Sequence, residues 1–95
     1  MDITRRLVQQ IREVPDVAGV FRAKEPIHFQ STGSWDDVFY VFLQGNHEKN
    51  MERVHNLALD FLKKNSMFNV GVFVYFLHNM NGLSKNEVRK LEEAF

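Results

Sequence analysis

The 95 residues contain no cysteine, which excludes a disulfide framework, a thiolate nucleophile and any Cys-ligated zinc site. Proline occurs only twice, at Pro15 and Pro26, and glycine five times, so forced breaks are few and no linker or low-complexity tract is visible. An excess of one charge is missing as well. Twelve Lys and Arg balance twelve Asp and Glu, and the sequence pI is about 6.9. A neutral chain projects no long-range field that would gather nucleic acid or anionic lipid. No apolar run approaches the roughly 20 residues of a membrane-spanning helix. The opening stretch, Met1 to Arg12, is amphipathic and lacks the apolar centre of a secretory signal. These absences together predict a cytoplasmic protein that neither enters a membrane nor binds nucleic acid.

Aromatic residues are abundant instead. Nine Phe in so short a chain mean a core built from rings. Two runs concentrate them: Asp37-Val-Phe-Tyr-Val-Phe-Leu-Gln44 and Asn69-Val-Gly-Val-Phe-Val-Tyr-Phe-Leu-His78. Both are rich in β-branched and aromatic residues and too short to span a membrane, so both read as strands buried on two faces. In the second, Val70, Val72, Val74 and Phe76 point one way and Gly71, Phe73, Tyr75 and Leu77 the other.

Around these strands the periodicity predicts three helices. Ile3, Leu7, Val8, Ile11 and Val14 form the apolar stripe of the first, which Pro15 ends. Met51, Val54, Leu57, Ala58, Phe61 and Leu62 form that of the second, over Met51 to Lys64, with Asn65 as a left-handed cap. Ser84-Lys-Asn-Glu87 has the pattern of a capping box, and the third helix would carry Val88, Leu91 and Phe95 on one side. Short strands are expected from Val17 to Phe21 and from Ile27 to Gln30, giving a three-stranded meander with the first buried run. A helix between the two buried runs makes them parallel through a right-handed crossover. The expected fold is one domain over residues 1–95, of α/β class bordering on α+β. Its order is α-β-β-β-α-β-α, with a four-stranded mixed sheet, three helices and one parallel crossover.

One constellation could carry chemistry. Asp36 and Asp37 stand at the head of a buried strand, just after Thr32-Gly-Ser-Trp35. Carboxylates beside a Gly-Ser turn are a means of holding magnesium against nucleotide phosphates. Through the run Gly33-Ser-Trp-Asp-Asp-Val-Phe-Tyr-Val41, the helix-strand opening and the helix leading into Asn69–Tyr75, the chain resembles the small nucleotidyltransferase-like domains of the polymerase-β superfamily. The resemblance implies a magnesium-nucleotide site near Asp36 and Asp37, with Ser34 near the phosphates. Val38 and Phe39 stand where that family alternates its acids, and the strand for a third carboxylate offers Asn69 and Gly71. The four His, at 28, 47, 55 and 78, have no chelating spacing. Bases on all three helices alternate with acids, as on solvated faces.

With no complete catalytic set, the leading expectation is a non-catalytic interaction or regulatory module without a cofactor. It would form a homodimer or dock a protein partner through an aromatic sheet face, with Phe39, Val41, Phe73 and Tyr75 as interface residues. The alternative is a nucleotidyltransferase-like enzyme or degenerate relative that uses Mg.

Overall fold

The computed structural model describes residues 3–23, 27–29, 33–35, 37–79, 88–89 and 91–94. Helix α1 (Ile3–Arg12) buries Leu7, Val8 and Ile11 completely, as their three- and four-residue spacing demands. The turn after it places Asp16 at φ 70, a conformation Asp tolerates. Two contacts hold it there: its carbonyl accepts the Gln44 N–H at 2.8 Å, and its carboxylate accepts the Asn50 side-chain amide at 2.8 Å.

Strand β1 (Val17–Ala23) pairs antiparallel with the first buried run, and two short strands, β2 (Ile27–Phe29) and β3 (Gly33–Trp35), pair only with each other. The buried runs are β4 (Asp37–Leu43) and β5 (Val70–Phe76), parallel in unbroken register from Asp37↔Val70 to Leu43↔Phe76. Helix α2 (Glu48–Lys64) connects them, so the expected parallel crossover is present. The main sheet runs β5-β4-β1-β6, where β6 is Leu91–Glu93. The four-stranded mixed sheet with flanking helices is the architecture expected.

Three local expectations are corrected. The meander does not form, because β2 leaves the main sheet and β1 pairs directly with β4. A seven-residue central strand needs a neighbour of its own length to satisfy its backbone groups, and β1 has seven residues where β2 has three. The third helix does not continue through Leu91. Val88 and Arg89 are helical, while Leu91–Glu93 pairs with the free side of β1 through Phe21↔Glu93, Arg22↔Glu92 and Ala23↔Leu91. Ladder bonds to β1 outweigh the weak strand propensity of two Glu. The capping box at 84–87 lies outside the described residues. Finally, Asn65 sits at φ −106 rather than left-handed, and Ser66 takes the positive φ of 53. Asn65 instead donates its side-chain amide to the Phe61 carbonyl at 2.8 Å.

The two faces of the sheet differ. Phe39, Val41, Leu43 and Val20 share one core with Leu7, Val8 and Ile11 of α1 and Val54 and Ala58 of α2. Both described helices therefore cover the same face. The opposite face belongs to a second cluster, centred on Val38, Tyr40 and Phe42.

Candidate interaction face

The second cluster is built from residues of four strands. Val38, Tyr40 and Phe42 of β4 are flanked by Phe73 and Tyr75 of β5 on one side and by Phe21 and Ala23 of β1, with Leu91 of β6, on the other. The parallel register sets Tyr40 beside Phe73 and Phe42 beside Tyr75. Tyr40 contacts Phe73 at a ring-centroid distance of 5.8 Å and Tyr75 at 6.1 Å; Phe42 contacts Tyr75 at 6.1 Å and meets Phe21 edge-on at 5.5 Å. Each such pair adds about 0.5–1.5 kcal/mol beyond area burial, so the five rings are a stiff layer. Its centre is buried. Its margins, at Phe73 and Tyr75 on one side and Phe21 and Leu91 on the other, are half-buried. At the β1–β6 margin an open apolar pocket of about 210 Å³ is lined by Phe21, Phe42, Leu77, Val88 and Leu91.

The expected interface set divides between the faces. Phe73 and Tyr75 lie on the aromatic face, but Phe39 and Val41 are 0% exposed beneath the helices and belong to the structural core. The reason is register. Phe39 pairs with Val72 and Val41 with Val74, so their side chains follow the helix-covered face. Tyr40 and Phe42 take their place beside Phe73 and Tyr75.

At the head of β4, Arg22 closes on Asp37. Its Nε donates to Asp37 Oδ1 at 2.8 Å, and its terminal nitrogen lies 2.5 Å from the same oxygen, with both side chains partly exposed. The Asp37 N–H also donates to the Asn69 carbonyl at 3.4 Å. Asp36 and the Ser34 side chain lie outside the described residues. Among the described residues this site supplies one carboxylate, and a guanidinium already sits on it. That is a poor fit for magnesium, which needs carboxylate oxygens free of competing cations. No group of three or more His, Asp or Glu comes together among the described residues. His47 and His55 are exposed on α2 or its entrance, and His78 is exposed while its ring stacks on Phe76 at 5.6 Å.

The sequence reading missed Arg22 as the partner of Asp37, although a single cation within the apolar Val17–Ala23 strand was its signal. It also missed β6, and with it the role of Leu91. No described helix is long and apolar enough to cross a membrane. No family model matches the chain, and neither curated proteins nor solved structures give a match.

Proposed function

We propose that this chain is a non-catalytic interaction module that self-associates through the β5 margin of its aromatic sheet face. The observation that carries the reading is the placement of α1 and α2 on one face and of a five-ring layer on the other, buried at its centre and half-buried at its margin at Phe73 and Tyr75. The partly exposed rings at that margin are apolar surface of the kind that association surfaces use. Aromatic side chains are also the types that dominate binding energy at such surfaces. Neutral net charge sets no long-range repulsion between copies.

The Tyr75→Lys variant tests the reading. A lysine at a half-buried margin can keep its stem on the sheet and its ammonium in water, so the variant should remain folded. Its self-association, followed by light scattering against concentration, should weaken by at least about tenfold, or 1.4 kcal/mol. A folded variant that associates as strongly as the unsubstituted protein would remove Tyr75 from the interface and sink the proposal.

A further inference from the structure

Strand β6 is seated differently on its two sides. On the side the helices cover, the seating is close. Ala94, the residue after β6, is 1% exposed and packs in the same core as Val20 and Ile11. Its N–H donates to the Val20 carbonyl at 3.0 Å, and its carbonyl accepts a terminal nitrogen of Arg12, from the last turn of α1. The register sets Glu92 directly across from Arg22. Both turn to the helix side, because Arg22 pairs on its other flank with the core residue Phe39. Opposite charges so placed attract, and the same guanidinium also meets Asp37.

On the aromatic side the seating is loose. Leu91 is half-buried and Glu93 exposed, and the open pocket of about 210 Å³ lies among Leu91, Val88, Phe21 and Phe42. The fastening of β6 therefore rests on one small buried side chain, a short ladder and two arginines. Arg12 is exposed, and the Arg22 side chain is 34% exposed. Interactions of such surface cations are weak and screened by salt.

The ladder separates the two neighbours of β1. The bond from Ala94 to Val20 fixes Arg22 and Glu92 as a hydrogen-bonded pair, so the Arg22 N–H looks toward β6. By the same alternation the Phe21 N–H looks toward β4, where Phe21 pairs with Tyr40. Adjacent amides of one strand thus belong to different partners.

We propose that Leu91–Ala94 is a latched strap, which opens as one unit at Arg12 and Arg22 while β5, β4 and β1 stay paired. The described amide bonds that opening breaks are those of Arg22, Glu92 and Ala94. Its effect is to free the outward backbone groups of Val20 and Arg22 and to uncover Phe21 and Phe42 beside the pocket. The strap so governs access to the β1 margin of the aromatic face. It lies at the margin opposite β5, and it stands whether or not copies of the chain associate there.

Amide hydrogen exchange on the full chain in dilute solution tests the strap. The Arg22, Glu92 and Ala94 amides should share one opening and be at least about tenfold less protected than those of Phe21 and Val41. Low concentrations of urea should leave that opening nearly unchanged, since it exposes little surface, while Phe21 and Val41 lose protection steeply. The Arg12→Ala variant removes the grip on the Ala94 carbonyl and should speed exchange at all three strap amides by about fivefold. Arg12 is exposed and Ala is the better helix former, so α1 is retained; should the variant fail to fold, exchange in the unsubstituted protein decides alone. An Arg22 amide that matches Phe21 in protection and in urea dependence would overturn the proposal, because β6 would then open only with the whole sheet. Strap amides unchanged by Arg12→Ala would overturn the latch.

Discussion

Replacement of Phe39 by Ala tests the division of the sheet into a helix-covered core face and the face proposed for association. Phe39 is the largest fully buried side chain, at 0% exposure, and shares its core with residues of both helices. A buried Phe removes about 150–250 Å² from water. At about 25 cal/mol per Å² that area is worth about 4–6 kcal/mol, part of which Ala retains, and with the cavity term Phe→Ala in a core costs about 3–5 kcal/mol in total. For a domain of this size each kcal/mol moves the melting temperature by about 4–8 °C, so a fall of at least about 12 °C is expected. Urea titration followed by circular dichroism gives the free energy directly. Where the variant is still folded, its association constant should match that of the unsubstituted protein, because the side chain never reaches the aromatic face. A loss below about 1 kcal/mol together with abolished association would refute the assignment of faces.

The Arg22–Asp37 contact should show a coupling of about 0.5–1.5 kcal/mol in a double-mutant cycle with Arg22→Ala and Asp37→Ala, modest because both side chains are partly exposed; a coupling near zero would show the contact to be incidental. Since Arg22 occupies the Asp37 carboxylate, magnesium with a nucleoside triphosphate at millimolar concentration should shift the melting temperature by less than about 1 °C. A rise of several degrees would reinstate the nucleotidyltransferase-like alternative. Gly45 has φ 71, so Gly45→Ala should cost about 1 kcal/mol by chemical denaturation although its Cβ would meet nothing closer than 3.7 Å. An unchanged midpoint would mean that the turn relaxes.

The parts of the fold legible from sequence were those set by local pattern. Leu7, Val8 and Ile11 on α1, Val54 and Ala58 on α2, and the doubly apolar runs of β4 and β5 all announce themselves by spacing. Pairing partners were less legible. A strand's alternation says which residues share a side, but not which side of its neighbour they join. Phe39 and Val41 were therefore grouped with Phe73 and Tyr75, when a shift of one residue sets Tyr40 and Phe42 there instead. Leu91–Glu93 follows a capping-box pattern and has two residues of low strand propensity. Only the unpaired edge of β1, a tertiary fact, makes it a strand. For the candidate site, Phe73 and Tyr75 could be named from the run that contains them. Their half-burial depends on both helices choosing the other face, which no stretch of sequence records.

Self-association is the central claim, and the solution mass of the purified chain by light scattering over a concentration series tests it most directly. The account predicts a weight-average mass that rises from 11.2 kDa toward about twice that value and then levels off. A mass that stays at 11.2 kDa up to about 1 mM would contradict it.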